Sequence, residues 1–177
     1  MPADRQSEVT IRSATVADLA AMIAIKHDAG LAAWPHILPA AVIETLPFPA
    51  RWEAAIEDPD PFTSVLLVEL DEHAVGFALT RPSGDVDVVP ATGELDGFYT
   101  DPGAWGAGAG RALLHAAEEA LRVAGFADAT LWTATLNHRP RRIYETAGWS
   151  ADGTERHRSF GGVEFTEVRY RRSLGSA

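Results

Sequence analysis

Three alternating glycines, Gly106, Gly108 and Gly110, stand directly before a segment with helical periodicity. In that segment, from Arg111 to Ala124, apolar residues recur every three or four positions. The N-terminus of a helix leaves backbone N–H groups unpaired and carries a partial positive charge. Glycines placed there let a ligand approach the backbone without meeting a Cβ. The pattern predicts an anion site best suited to phosphate, and the alternative is a tight turn that binds nothing.

Two common nucleotide-binding motifs do not match this loop. A P-loop ends in Gly-Lys-Ser/Thr, whereas this loop ends in Gly110-Arg111-Ala112. A dinucleotide fingerprint requires a third glycine, which would fall on Arg111, and no acidic residue follows a second strand at the distance expected for a ribose contact. ATP and NAD are therefore disfavoured as ligands.

The elements around the loop follow from turn residues and periodicity. A short strand is predicted at Glu94–Thr100, and Asp101-Pro102-Gly103 ends it. After the helix, Gly125 is the expected C-terminal cap. A second strand at Ala129–Ala134 and a helix at Pro140–Ala147 follow. The glycines thus lie at a junction between a strand and a helix.

The rest of the chain supplies further strands and helices. Apolar alternation and turn signals predict, in chain order, a strand at Val9–Arg12, a helix from Thr15 to about Ala29 that Gly30 ends, helices at Ala40–Leu46 and Arg51–Glu57, strands at Ser64–Leu70 and Ala74–Thr80, a polar stretch at Ser150–Arg158, a closing strand at Val163–Arg172 and a frayed tail at Leu174–Ala177. This order predicts one α/β (α+β) domain over residues 1–177, with its core at about 8–173 and a mixed, largely antiparallel sheet.

Composition narrows the class of function. The chain has 177 residues and no cysteine, which excludes disulfides, thiolate metal sites and a cysteine acyl-enzyme. The six histidines show no spacing typical of metal ligands, so no metal is expected. The N-terminus lacks an apolar signal core, and no apolar run approaches the length of a membrane span. These features predict a cytoplasmic protein that does not contact a membrane.

Charge is unevenly distributed along the chain. The net charge is −10, and residues 1–100 carry 16 of the 25 acidic side chains but only 5 of the 15 lysines and arginines. An acidic protein binds nucleic acid poorly, so no nucleic-acid partner is expected. The asymmetry has two interpretations, an acidic half that receives a cationic amine or an acid excess that serves solubility alone.

The stretch from Glu94 to Trp149 resembles the acyl-coenzyme A signature of the GNAT N-acetyltransferase superfamily. That signature joins a strand that ends near proline, a Gln/Arg-Gly-x-Gly-x-Gly/Ala loop, and an Asn followed seven positions later by Tyr and then by Gly-Phe/Trp. The matching residues are Thr100-Asp101-Pro102, Trp105-Gly106-Ala107-Gly108-Ala109-Gly110, Asn137, Tyr144 and Gly148-Trp149. The sequence departs from the signature at Trp105, where Gln or Arg is usual, and at Pro140, where Ala is usual. The flanks agree in character, so the resemblance covers most of the chain.

The resemblance implies a fold and a co-substrate. Parallel strands at Glu94–Thr100 and Ala129–Ala134 would splay apart, and the pantetheine arm of acetyl-coenzyme A would lie in the gap. The residues expected to bind the coenzyme are Phe98, Tyr99, Thr100, Trp105, Gly106, Ala107, Gly108, Ala109, Gly110, Arg111, Asn137 and Arg142. Arg139 and Arg141 are further candidates for its 3′-phosphate, and solvated helix arginines are the alternative.

Catalytic roles are likewise implied by the resemblance. Tyr144 is the expected general acid for the departing thiolate, because a phenol and an alkyl thiol have similar pKa values. Glu94 is the expected base, and Asp96 is the reserve because it lies two residues on and shares the strand face. With no cysteine present, direct attack of the amine in a ternary complex is the simplest route. A core tyrosine and an exposed strand-end carboxylate are the alternatives.

The acceptor remains open at the level of sequence. Trp34, His36 and Trp52 fall in the region that lines the acceptor pocket in the resembling family, and the tryptophans also fit core positions. Asp85 and Asp87 lie in a polar loop that either borders this pocket or is solvated, and a carboxylate-bearing acceptor would need an arginine such as Arg81. The expected reaction is acetyl transfer to a primary amine of a small molecule or peptide, with a homodimer plausible. The alternative is a non-catalytic module that binds acyl-coenzyme A and senses it.

Overall fold

The structure is a computed structural model that describes residues 8–175. Its elements in chain order are β1 (Val9–Ser13), α1 (Leu19–Ala33), α2 (Ala40–Ile43), α3 (Ala50–Glu57), β2 (Ser64–Leu70), β3 (His73–Pro82), β4 (Thr92–Thr100), α4 (Ala109–Val123), β5 (Asp128–Ala134), α5 (His138–Thr146), β6 (Ser150–Phe160) and β7 (Val163–Ser173). Short 3-10 turns at Val16–Asp18 and Pro102–Ala104 precede α1 and α4. The elements predicted from the sequence are present, with ends shifted by a few residues. None of the helices within this range is long and apolar enough to cross a bilayer.

Within residues 8–175 the strands form one sheet in the order β1-β2-β3-β4-β5-β7-β6. Neighbouring strands run antiparallel except β4 and β5, which run parallel. The predicted mixed, largely antiparallel sheet is therefore confirmed. The parallel pair requires a crossover, and α4 supplies it between β4 and β5.

The parallel strands separate after a short paired stretch. β4 and β5 pair only from Thr92 opposite Asp128 to Leu95 opposite Leu131, although both strands continue beyond. On its other side, β4 has a bulge: Leu95 and Gly97 pair with consecutive β3 residues, so Asp96 is extra. A bulge bends a strand and increases its twist. The bulge therefore turns β4 away from β5 and opens a gap between them.

Helices cover the two faces of the sheet and bury separate apolar clusters. On one face, α4 and α5 pack residues such as Leu113 and Tyr144 against Leu131 of β5. On the other, α1 and α3 pack Met22 and Trp52 against β2 and β3. Because the gap between β4 and β5 passes through the sheet, groups from both faces can meet there.

Gly30 does not end the first helix, contrary to the sequence prediction. α1 continues through Gly30 to Ala33. A Cβ at Gly30 would lie 3.0 Å from the Cγ2 atom of Ile43. The glycine therefore permits the close approach of α1 and α2, a tertiary contact that no local signal reveals.

Leu174 is not frayed, so that prediction is also wrong for this residue. Its side chain is buried, and its backbone N–H donates to the carbonyl of Ala127 at 2.8 Å. Its own carbonyl accepts from Arg122 Nε at 3.0 Å. The chain therefore stays attached to the α4–β5 connection up to Leu174, while residues 176–177 of the predicted tail lie outside the described range.

Candidate active site

Two cavities adjoin at the gap between β4 and β5. The first, of about 770 Å³, is lined by residues of α1–α3, of β4–β7 and of α5. The second, of about 960 Å³, lies between the glycine loop, α4 and α5. Both are lined by Thr100, Trp105, Arg139 and Ile143. A ligand long enough to occupy the second cavity can therefore reach the first.

The glycine loop leads directly into the N-terminus of α4. Gly106 and Gly108 have φ of 91° and 88°, a left-handed region that favours glycine. Gly108 is the residue before the first helical turn, and its carbonyl accepts from Ala112 N at 3.1 Å. The helix begins at Ala109, two residues before the predicted start. Gly108, Gly110 and Arg111 line the second cavity, and the N–H groups of the first helical turn have no intrahelical acceptors, as an anion site requires.

The protein's own backbone gives a further reason for these glycines, besides the close approach of a ligand inferred from sequence. A Cβ at Gly106 or Gly108 would meet no protein atom within 4 Å. At Gly110 it would lie 3.6 Å from Thr100 Cγ2, an ordinary contact. Gly106 and Gly108 are therefore required by the protein for their backbone conformation and not for space.

The arginines near the second cavity differ in whether they line it and in which protein groups they already bind. Arg111 and Arg142 line it. The guanidinium of Arg139 stacks 4.0 Å from the Trp105 ring, and Trp105 Nε1 donates to Thr100 O at 3.2 Å. Arg141 instead donates to the Tyr170 hydroxyl at 2.9 Å and to the Thr135 carbonyl at 2.5 Å, and it lines neither cavity. Arg141 is therefore a structural residue, which removes one of the three arginines suggested for the 3′-phosphate.

Asn137 directly precedes α5, and Tyr144 lies in the last turn of that helix. Both line the first cavity. Asn137 occupies the N-cap position and is 6% exposed, but its side chain makes no capping hydrogen bond. Tyr144 is 5% exposed, and its ring packs edge-on against Phe98 at 5.9 Å between centroids. Burial raises the pKa of Tyr144 well above that of a free phenol, and nearby Tyr99 adds to the effect. The Tyr144 hydroxyl therefore stays protonated near neutral pH. It is a weaker proton donor than the free phenol assumed in the sequence analysis.

The two candidate bases on β4 have opposite electrostatics. Glu94 is 6% exposed, and burial raises its pKa although Arg81 NH2 lies 2.9 Å away. Burial would also raise the pKa of Asp96, but hydrogen bonds from Arg51 at 2.9 Å and Trp52 Nε1 at 2.8 Å bring it below its ordinary value. A carboxylate with a raised pKa is the better proton acceptor near neutrality. Glu94 is therefore the better candidate base, and Asp96 is a fixed anion.

Glu94 and Tyr144 approach the gap from opposite faces of the sheet. Tyr144 belongs to the cluster under α4 and α5, whereas Trp52, which binds Asp96 beside Glu94, belongs to the cluster under α1 and α3. Both Glu94 and Tyr144 nonetheless line the first cavity. The site thus places a proton acceptor and a proton donor on two sides of one opening.

Of the three ring-bearing acceptor candidates in the N-terminal half, the two tryptophans line a cavity and the histidine does not. Trp34 and Trp52 line the first cavity and are also packing residues: Trp34 meets the Phe165 ring edge-on at 5.6 Å, and Trp52 is 3% exposed. His36 is exposed and lines neither cavity. Its Nε2 lies 2.7 Å from the carbonyl of Leu136. His36 is therefore a surface residue and not a lining residue of the cavity.

Asp85 and Asp87 line neither cavity. Both bind Arg169, whose side chain is only 3% exposed, with Asp87 Oδ1 2.6 Å and Asp85 Oδ2 3.2 Å from Arg169 NH1. Asp85 also accepts a hydrogen bond from Trp132 Nε1 at 3.1 Å. The loop between β3 and β4 is therefore exposed to solvent but tied to β5 and β7 through these carboxylates, and it does not border the first cavity.

Sequence reasoning missed two arginines of the first cavity, Arg156 and Arg158. They lie in the polar stretch that became β6, where residues two apart share a face. Alternation of charged side chains before the Gly161-Gly162 turn was the available signal. Among residues 8–175, no three His, Asp or Glu side chains converge in the way a metal ion requires.

Comparison with known proteins agrees with this geometry. Residues 27–149 match the family described as the acetyltransferase (GNAT) family. No protein with a curated description matches significantly. The chain is similar in structure to three solved enzymes: ribosomal-protein-S18-alanine N-acetyltransferase from Escherichia coli (20% identity, 96% of each chain, TM-score 0.71), ribosomal-protein-alanine N-acetyltransferase from Brucella melitensis (25% identity, 93% of this chain and 99% of that one, TM-score 0.72) and PaiA N-acetyltransferase from Thermoplasma acidophilum in complex with coenzyme A (17% identity, 94% and 99%, TM-score 0.69).

Proposed function

The chain belongs to the acetyltransferase (GNAT) family, and on that premise we propose that it moves an acetyl group from acetyl-coenzyme A to a primary amine of a small molecule or a peptide. The observation that carries the proposal is the arrangement of Glu94 and Tyr144 on two sides of one opening, next to the helix N-terminus behind the glycine loop. The amine attacks directly in a ternary complex, since the chain has no cysteine to form a thioester intermediate.

The residues around the second cavity fit a diphosphate-bearing coenzyme. Backbone N–H groups of Ala109, Gly110 and Arg111 bind the diphosphate, because the first turn of α4 leaves them without intrahelical acceptors. The N–H of Ala107 already donates to the Ala104 carbonyl at 3.2 Å, so it takes no part. Arg111 and Arg142 add positive charge at the same wall. The pantetheine arm lies along the β4 backbone at Phe98, Tyr99 and Thr100, where β5 no longer pairs with β4. The side-chain amide of Asn137 makes no capping hydrogen bond, so it can hydrogen-bond to the pantetheine arm.

Glu94 and Tyr144 divide the proton transfers. The acceptor must be a neutral amine to attack the thioester carbonyl, and Glu94, directly or through water, takes the proton that the nitrogen loses. The new C–N bond replaces the C–S bond, and the departing thiolate takes the proton of the Tyr144 hydroxyl. Glu94 is suited to this role because burial raises its pKa, and Tyr144 is suited because it remains protonated.

Removal of the Tyr144 hydroxyl tests the assignment. We expect Tyr144→Phe to lower kcat by about 10²-fold or more with the coenzyme Kd unchanged by calorimetry. Tyr170→Phe is the matched control, because Tyr170 is a buried tyrosine that lines neither cavity. That control removes bonds to Glu145 and Arg141, so it should lower stability and spare kcat. Equal kcat in Tyr144→Phe and the wild type would remove Tyr144 as the acid.

A further inference from the structure

The charges on the β4 side of the first cavity cancel. Glu94 and Asp96 are both ion-paired with Arg81, and Asp96 is also paired with Arg51. Two carboxylates thus face two guanidinium groups within one compact network. This wall offers no surplus negative charge to a polycationic acceptor, and Arg81 is not free to bind an acceptor carboxylate.

The opposite wall has a surplus of positive charge. Arg156 and Arg158 of β6 share a single carboxylate, Glu167 of β7, at 2.6 Å and 3.9 Å from the same Oε2 atom. All three side chains line the first cavity. The 3.9 Å distance from Arg158 Nε to Glu167 Oε2 is at the limit of an ion pair, so Glu167 holds the Arg158 guanidinium only weakly. One positive charge on this wall therefore has no partner within the cluster.

Aromatic rings hold both guanidinium groups in place. The Arg156 guanidinium lies 4.2 Å from the Trp132 ring centroid, and that of Arg158 lies 5.6 Å from the Phe160 centroid. A guanidinium within about 6 Å of a ring centroid is attracted to the ring face, and its remaining N–H groups can still donate to a ligand. The side chains are 39% and 45% exposed, so a ligand can reach them. A restrained, reachable fork of donors matches a carboxylate.

We infer, on the basis of the proposed function, that the acceptor is an amine that also bears a carboxylate, and that Arg156 and Arg158 bind this carboxylate while the amine faces Glu94. The acceptor is thus of the amino-acid type. Apolar parts of such an acceptor meet Trp34 and Phe160, which line the same cavity. The volume of about 770 Å³ accommodates a small molecule of this kind.

Matched pairs of acceptors test the inference. Thiol release from acetyl-coenzyme A is measured with α-amino acids and ω-amino acids of increasing length, and each is compared with its own carboxamide. We expect at least one acid to exceed its amide in kcat/KM by about tenfold or more, as the loss of a charge-assisted bond requires. The amide has the less basic amine and so the larger neutral fraction, which makes a preference for the acid more telling. Equal kcat/KM across every pair would overturn the inference.

Variants separate the anion site from the rest of the enzyme. Arg158→Gln should raise KM for the preferred acid about tenfold, leave kcat/KM for its amide within twofold and leave the coenzyme Kd unchanged. Arg158→Lys should recover part of the loss, since it restores the charge without the fork. Arg171→Gln is the control, because Arg171 lies on β7 and lines neither cavity. Equal losses for acid and amide in Arg158→Gln would contradict a carboxylate contact.

Calorimetry distinguishes failure of the inference from failure of the proposed function. The same acids and amides are titrated into the wild-type protein saturated with coenzyme A. Binding of an acid but not its amide, weakened in Arg158→Gln, supports the anion site even if no thiol is released, and then only the transferase proposal fails. Thiol release confined to amines without a carboxylate supports the transferase and overturns the inference.

Discussion

Substitution of Gly108 by alanine isolates the backbone of the phosphate loop. Gly108 has φ of 88° and ψ of −14°, and an added Cβ would meet no protein atom within 4 Å. The substitution therefore introduces no clash, and its cost to folding is the left-handed conformation alone, about 1–2 kcal/mol. For a domain of this size that corresponds to a fall in Tm of about 2–8 °C.

The effect on the coenzyme should be larger than the effect on folding. Relief of the strain rotates the peptide units on either side of residue 108, which displaces N–H groups at the start of α4 from the diphosphate. A charge-assisted hydrogen bond is worth about 1.5–3 kcal/mol, which corresponds to a Kd raised about 10- to 150-fold. Isothermal calorimetry with coenzyme A measures this change, and thermal unfolding without ligand measures the cost to folding.

Gly125 provides a matched control at the other end of α4. Its φ is 92°, and an added Cβ there would also meet nothing within 4 Å. Gly125→Ala should therefore lower Tm by a similar amount while the coenzyme Kd stays within twofold of the wild type. If both variants bind coenzyme A with wild-type affinity, or if both weaken binding equally, the assignment of the loop to the diphosphate is wrong.

Three further outcomes follow from buried groups. Because burial raises the pKa of Glu94, kcat/KM should fall as the pH drops through that raised value. Glu94→Gln should lose this acidic limb of the pH profile and lower the rate by about 10²-fold or more. An unchanged pH profile in Glu94→Gln would exclude Glu94 as the base. Arg169→Met removes the buried partner of Asp85 and Asp152 and should cost about 3 kcal/mol in urea unfolding. The Arg169 guanidinium lowers the pKa of Asp87 from 3.8 to about 2, so its stabilisation is complete above pH 4 and lost towards pH 2, a dependence that should be shallower in Arg169→Met. Leu174→Ala deletes a side chain that is 6% exposed and should cost about 2–3 kcal/mol, whereas a frayed tail would show no change in urea unfolding.

The parts of the molecule that the sequence predicts well are those set by local spacing. Alternating glycines before an amphipathic segment indicated the N-terminus of α4, and a short apolar run indicated β2 at Ser64–Leu70 with the ends that the structure has. The candidate residues Asn137 and Tyr144 were found through the resemblance to the family's Asn-x6-Tyr spacing, and that spacing is local because both residues lie on one strand end and the helix that follows. In each case the signal and the structure lie within about ten residues of chain.

Long-range contacts account for the errors. Gly30 resembles a helix end locally, but it is needed for the packing of α1 on α2. Asp85 resembles a free loop carboxylate, but its partner Arg169 is 84 residues away in the chain. The electrostatic difference between Glu94 and Asp96 arises from the bulge that turns Asp96 towards Arg51 and Trp52. No periodicity in β4 encodes these contacts.

The most direct test of the central claim is thiol release from acetyl-coenzyme A with a panel of primary amines, with the products identified by mass spectrometry. We predict that thiol appears only when an accepted amine is present and that this amine gains one acetyl group for each thiol released. Coenzyme binding without acetylation of any amine would instead indicate a sensing module. Absence of coenzyme binding would contradict the whole assignment of the glycine loop.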